Sequence, residues 1–165
     1  MKKVFLSAVL AMMLSNCATT TRWVAGNFEQ QDCRVPEKLA VTATLDNYMV
    51  VVSIFNTTRE LWQLDLDLSQ IRLPEASFSS NLVDNHEGNP NAPKTPLLPG
   101  KSVIKLYPGS MITETDEELK DVHFKPWPGT GEQPIEIALG FITPDGQNTS
   151  CILRASLSPL TPIKK

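Results

Sequence analysis

The 165-residue sequence lacks the motifs of common catalytic and nucleotide-binding proteins. It has no G-x-S-x-G nucleophile elbow, no C-x-x-C pair and no D-x-[DN]-x-[DN]-G calcium loop. The run Gly100-Lys101-Ser102 matches the end of a phosphate-binding loop, but Thr95 stands where that loop needs glycine, and a strand pattern follows. The sequence therefore predicts no enzyme, no catalytic residue and no cofactor.

Histidine is scarce, with only two residues, His86 and His123. Neither has a second ligand at the spacings typical of zinc or copper sites, so no metal site is predicted. If a metal ion does bind, these two histidines are the candidate ligands. Such residues are more often ordinary loop and edge-strand side chains. A hydrolase whose site assembles in space from one of them and a distant serine stays open as the less favoured alternative.

Positive charge is also limited, because the 15 Lys and Arg residues are outnumbered by 18 Asp and Glu residues, which gives a net charge of -3. No cluster of basic residues interrupts this mildly acidic composition. The charge pattern argues against nucleic acid as a partner, and against electrostatic binding to anionic lipid.

Long apolar runs are missing too, since residues 4–14 are too few to span a bilayer, which needs about 20. This run follows Lys2 and Lys3 and ends at Leu14-Ser15-Asn16-Cys17. A basic start, an apolar run and a small-residue exit are typical of a secretory signal. With its terminal cysteine, the segment resembles a bacterial lipoprotein signal peptide.

That resemblance implies that residues 1–16 are removed and that Cys17 is acylated, so that its acyl chains attach the protein to a lipid bilayer. Ala18 follows Cys17, where an aspartate commonly marks inner-membrane retention in such lipoproteins. The implied location is the periplasmic side of the outer membrane, and the alternative is a soluble periplasmic protein. Loss of Lys2 and Lys3 would bring the net charge to about -5.

Three cysteines are present, and lipid on Cys17 would leave Cys33 and Cys151. Two cysteines in an exported protein are expected to pair, because the compartment is oxidising. A Cys33–Cys151 bond would be worth about 4–5 kcal/mol in the chain-entropy model, given a loop of more than about a hundred residues. The alternative is two unpaired buried thiols.

Alternation of apolar and polar residues predicts strands over residues 39–45, 62–73, 78–83, 101–107, 122–124, 135–141 and 151–157. The apolar run over residues 48–55 predicts a central strand that is buried on both faces or nearly so. Within 62–73 the apolar parity changes, which predicts a bulge near Ser69-Gln70. Residues 84–100, rich in proline and asparagine, predict a long functional or disordered loop.

Short strands without long helical patterns predict an all-β domain, an antiparallel β-sandwich of about seven strands. Residues 50–56, 62–73 and 98–102 together resemble an immunoglobulin-like module of exported bacterial proteins. The predicted organisation is a signal peptide (1–16), a lipidated tether and N-terminal segment (17–36), the sandwich (37–160) and a tail (161–165).

Tryptophan supplies the remaining candidates for binding, because Trp23 and Trp127 lie in loop-like surroundings near Pro or Gly. An exposed Trp there would anchor an interface, whereas the alternative for Trp127 is to plug an open end of the sandwich. The sequence favours a membrane-anchored envelope lipoprotein that is a non-catalytic protein-binding or structural module, with an unidentified envelope protein as partner. The alternative is a small-molecule or metal-ion binder that uses the 84–100 loop with His86 and His123.

Overall fold

The computed structural model describes residues 21–35, 37–84, 94–115 and 122–160. These residues form strands β1 Arg22–Ala25, β2 Glu29–Cys33, β3 Leu39–Asp46, β4 Met49–Asn56, β5 Trp62–Leu73, β6 Phe78–Asp84, β7 Lys94–Leu97, β8 Gly100–Pro108, β9 Ile112–Thr115, β10 Val122–Phe124, β11 Gln133–Ile142 and β12 Asn148–Leu160, with a 3-10 turn at Gly109–Met111. Among these residues, no helix has the length and apolar content that crossing a membrane requires.

Eight of the strands close into an antiparallel barrel in the order β1-β3-β4-β8-β6-β5-β11-β12, because β12 pairs back with β1. The prediction of an immunoglobulin-like sandwich is therefore wrong. A sandwich keeps two separate sheets, whereas β1 pairs with β12 from Arg22 to Ala25 and with β3 at Val24 and Ala25. The N-terminal segment thus supplies the strand that closes the sheet.

The strands predicted from residue 39 onward are all present, with ends shifted by at most a few residues. Segment 84–100, predicted as a loop, contains strand β7, which pairs with β5 outside the ring of eight. Residues 85–93 of that segment lie outside the described residues. Strands β9 and β10 form a separate hairpin.

Apolar side chains from the inward-facing positions fill the barrel. In β3 and β11 the buried residues alternate with more exposed ones, as the period of a strand requires. An eight-stranded barrel is just wide enough for its side chains to fill it. The largest fully buried side chains are those of Ile54, Leu64, Ile71, Leu73, Leu82, Leu97, Leu106, Met111, Ile135, Ile137, Leu139 and Phe141. Binding surfaces should therefore be sought at the ends and on the outside of the barrel.

A bulge in β5 confirms the predicted change of face. The register between β11 and β5 shifts from Gly140 opposite Asp65 to Ala138 opposite Gln70. The buried hydroxyl of Ser69 donates to the carbonyl oxygen of Asp65 (2.7 Å) and accepts from the amide of Gly140 (3.0 Å). A Cβ added to Gly140 would lie less than 3.0 Å from Leu68 Cβ, so the bulge passes directly over this glycine.

The disulfide predicted between Cys33 and Cys151 is present and joins β2 to β12, where the two residues stand opposite each other. Cys151 is fully buried, as the inward parity of its strand predicts. The two residues are 118 positions apart in sequence, which corresponds to about 4–5 kcal/mol in the chain-entropy model. The disulfide therefore ties the N-terminal segment to the last strand, beside the β1–β12 closure.

Candidate functional site

A cleft of about 770 Å³ lies at the end of the barrel where the described chain begins. We call it the aromatic cleft and define it by Trp23, Tyr48, Tyr107, Phe124 and Trp127, which all line it. Each ring lies at or near the end of a strand or in the loop after β10. Different parts of the chain therefore meet at this one end.

The rings of the aromatic cleft pack on one another. Tyr48 stacks on Phe124 with ring centroids 4.4 Å apart and on Trp127 at 5.8 Å, both nearly parallel. Tyr107 stacks on Phe124 at 5.7 Å, and Phe78 meets Trp127 edge-on at 6.1 Å. Each such pair contributes about 0.5–1.5 kcal/mol beyond the area it buries. The wall of the cleft is therefore largely preformed.

The turn between β3 and β4 fixes this wall to the barrel. Asn47 adopts a left-handed conformation (φ 56°), which asparagine tolerates in a tight turn. Its carbonyl oxygen accepts from Trp127 Nε1 (2.8 Å), and its amide donates to the carbonyl oxygen of Trp23 (2.6 Å). This turn therefore connects both tryptophans to the start of β4.

Trp23 and Trp127 are both buried, so the prediction that their side chains are exposed is wrong, and their role in binding stays a prediction. Proline and glycine beside them indicated loops, but the rings fold back onto the end of the barrel. The alternative reading of Trp127 as a plug agrees with its burial at this end. The more exposed surface of the cleft comes from Tyr48, Tyr107 and Phe124.

Sequence reasoning did not identify Tyr48, Tyr107 or Phe124 as site residues. A usable signal was present, because each lies at one end of a predicted strand, and the pairing of β4 with β8 brings the ends at Tyr48 and Tyr107 together. The missing information was which strand ends share one end of the barrel.

An ion pair lies at the rim of the aromatic cleft. Arg22 donates from Nε to Asp46 Oδ1 (2.7 Å) and from Nη2 to Oδ2 (2.5 Å). The hydrogen bond from Arg22 lowers the pKa of the Asp46 carboxyl, and the pKa of the Arg22 guanidinium rises for the same reason. Burial raises the pKa of the Tyr48 phenol above its ordinary value. The charges of Arg22 and Asp46 thus compensate each other at the rim, and aromatic rings and polar groups share the walls.

The other predicted site residues are only partly accounted for. His123 is exposed and lines the aromatic cleft, with its carbonyl oxygen accepting from Thr113 Oγ1 (3.1 Å). His86 and Cys17 lie outside the described residues. Within the ranges that the structure covers, no three His, Cys, Asp or Glu side chains are grouped to hold a metal ion.

The aromatic cleft can bind a flat or apolar group against its stacked rings, and backbone and carboxylate groups at the rim can orient that group. Comparison of the chain with protein-family models, with curated proteins and with solved structures finds no match.

Proposed function

We propose that the protein is a lipid-anchored, non-catalytic protein-binding module of the bacterial cell envelope, held by acyl chains on Cys17 at the periplasmic side of the outer membrane. The observation that best supports this proposal is the position of Thr21, which lines the aromatic cleft. Residues 18–21 separate Cys17 from the barrel, and four residues span at most about 14 Å. The cleft end would therefore face the membrane, and the opposite end would project into the periplasm.

Two further observations support an exported, non-catalytic role. The Cys33–Cys151 disulfide is the kind of bond that persists in an oxidising compartment. The barrel interior is filled by apolar side chains, which leaves recognition to the outer surface and the ends. Both features suit a compact module that is displayed at a membrane surface.

The anchor is tested by the intact mass of the protein purified from its native membrane fraction, measured with and without reduction. We expect a chain that begins at Cys17 and carries acyl chains, with two hydrogens gained on reduction of its disulfide. A Cys17→Ser variant should leave the membrane fraction. An unlipidated chain, or one that begins elsewhere, would overturn the anchor.

A second candidate function is small-molecule binding, which the size and walls of the aromatic cleft favour. Its volume of about 770 Å³ lies within the usual range of ligand sites, which is about 300–1,000 Å³. Titration with the dye 1-anilinonaphthalene-8-sulfonate should show binding that Tyr48→Ala weakens and Asn148→Ala, an exposed polar position at the other end of the barrel, does not. Equal weakening by both variants would remove this candidate.

Metal-ion binding belongs to this second candidate, because His123 lines the same cleft. Calorimetric titration with copper and zinc tests it. The metal hypothesis fails if His86→Ala and His123→Ala leave any binding unchanged.

A further inference from the structure

A second surface, at the end of the barrel opposite the aromatic cleft, exposes four large apolar side chains. We call it the distal apolar patch and define it by Phe55, Leu61, Leu98 and Val103. Between 47 and 64% of the surface of each residue is exposed. Single exposed apolar residues need no explanation, but a contiguous group marks an interaction surface.

Strand register brings these four residues together. Ser53 stands opposite Val103, and Phe55 stands opposite Lys101, so Phe55 and Val103 are diagonal neighbours on the same outer face of β4 and β8. Trp62 pairs with Leu97, which places Leu61 and Leu98 next to each other just beyond that pair. The patch therefore runs from the outer face of β4 and β8 onto the end of the barrel.

Asn56 holds the main chain beneath the patch. Its side chain is buried, and Nδ2 donates to the carbonyl oxygens of Glu60 (2.9 Å) and Leu97 (3.0 Å). Its Oδ1 accepts from the amide (2.9 Å) and the hydroxyl (2.7 Å) of Thr58. The residues just before Leu61 and Leu98 are thus fixed beside Phe55, and a preorganised surface loses less entropy when it binds.

The charge beside the patch is positive along β4 and β8, and the exposed Arg59 and Glu60 just before Leu61 together add no net charge. Lys101 and Lys105 face outward beside Phe55 and Val103, and the outward positions of these two strands hold no carboxylate. Neither lysine forms an ion pair with another residue in the described part of the chain. The whole sequence is nevertheless acidic. A second copy packed on this face would bring lysines together, whereas carboxylates on a partner would complement them.

From these observations we infer that the distal apolar patch docks a protein segment in which Asp or Glu residues flank apolar side chains. The apolar side chains cover Phe55, Leu98 and Val103, and the carboxylates meet Lys101 and Lys105. This inference rests on the proposed function for its choice of a protein over a bilayer, because an anchor at the cleft end keeps the patch away from the membrane surface.

Site-specific photocrosslinking of the full chain in the cells that naturally produce it tests the inference. Phe55 is replaced by p-benzoylphenylalanine, and the control places the same residue at Ser156 on β12, which lies across the barrel. Adducts are identified by mass spectrometry. We expect position 55 to yield one protein adduct, crosslinked in a segment where carboxylates flank apolar residues, and position 156 to yield none of it.

The charge requirement is tested in the same cells. Lys101→Glu combined with Lys105→Glu should lower the adduct yield by about tenfold or more, because it turns attraction into repulsion. Lys125→Glu, an exposed lysine near the aromatic cleft, should leave the yield unchanged. Equal melting temperatures of the purified variants verify that the fold is intact.

Four results would overturn the inference: no adduct at position 55, an adduct with lipid only, an adduct with a second copy of this chain, or an adduct yield that Lys101→Glu combined with Lys105→Glu leaves unchanged. Intact mass measured on the same cells separates the two proposals. A lipidated chain without the adduct refutes only the patch, and an unlipidated chain with the adduct refutes only the anchor.

Discussion

Gly140→Ala should destabilise the barrel strongly, because the bulge of β5 leaves no room for a side chain on β11. The added methyl group would lie less than 3.0 Å from Leu68 Cβ and 3.3 Å from the carbonyl oxygen of Asp65. Both are fixed by the main chain, so no side-chain rotation relieves the overlap. Overpacking of this kind costs about 1–3 kcal/mol.

The strand movement that would relieve this overlap also stretches the hydrogen bond from the Gly140 amide to Ser69 Oγ, which is buried. Its loss adds about 1 kcal/mol, so the free energy of unfolding should fall by about 2–4 kcal/mol in total. Urea unfolding of the oxidised protein, followed by tryptophan fluorescence, measures this change. The control is Gly131→Ala, where the added Cβ meets nothing within 4 Å, and which should be neutral or stabilising by up to about 1 kcal/mol.

A double-mutant cycle isolates the overlap at Gly140. Leu68→Gly removes the Cβ that the alanine would strike, so it should recover much of the stability lost in Gly140→Ala, whereas Leu68→Ala keeps that atom and should recover little. The reasoning is refuted if the free energy of unfolding of Gly140→Ala is within about 0.5 kcal/mol of the wild-type value. Equal rescue by Leu68→Gly and Leu68→Ala would refute it too.

Three other perturbations test separate features. Replacing Cys33 and Cys151 by alanine should lower the free energy of unfolding by about 4–5 kcal/mol, measured by urea titration. Asn56→Ala should lower it by about 2–4 kcal/mol, because buried carbonyl groups lose their donors. Arg22→Ala should raise the pKa of Asp46 toward its ordinary value, measured by NMR titration. Because the folded pKa of Asp46 is lowered, the ion pair stabilises the fold above the ordinary carboxyl pKa, and that stability is lost as the pH falls through the lowered pKa.

Controls make these three predictions specific. Asn148→Ala removes an asparagine side chain at an exposed position and should change stability by no more than about 0.5 kcal/mol. The prediction for the variant without Cys33 and Cys151 is contradicted if its free energy of unfolding falls by less than about 1 kcal/mol. The ion-pair prediction is contradicted if Arg22→Ala and the wild type lose stability equally below the ordinary carboxyl pKa.

Local patterns predicted eight of the strands, the bulge and the disulfide, because each depends on residues close in sequence or on a simple count. The parity change between Leu68 and Ile71 is visible in the sequence, and the structure has a bulge there. With lipid expected on Cys17, the cysteine count left one pair to bridge. These features did not require knowledge of which strands are neighbours.

Barrel closure could not be predicted from the sequence, because it depends on strands that carry little pattern. Strand β1 is four residues long, and the residues of β2 are mostly exposed and polar. Their pairing with β12 is a long-range contact with no local signature. The aromatic cleft was missed for the same reason, since Tyr48, Tyr107 and Phe124 become neighbours only when the strand order is known.

The pairing of β1 and β2 with β12 has a consequence for biosynthesis. A ribosome makes the chain from its N-terminus, so β1 and β2 cannot pair with β12 until the end of the chain has been synthesised. Contacts so distant in sequence form slowly, which keeps the chain open while it is made. Truncation before β12 would remove the neighbour of β11, β1 and β2 together. A shortened chain should therefore fail to fold at all rather than form a smaller barrel, and quality-control proteases should degrade it.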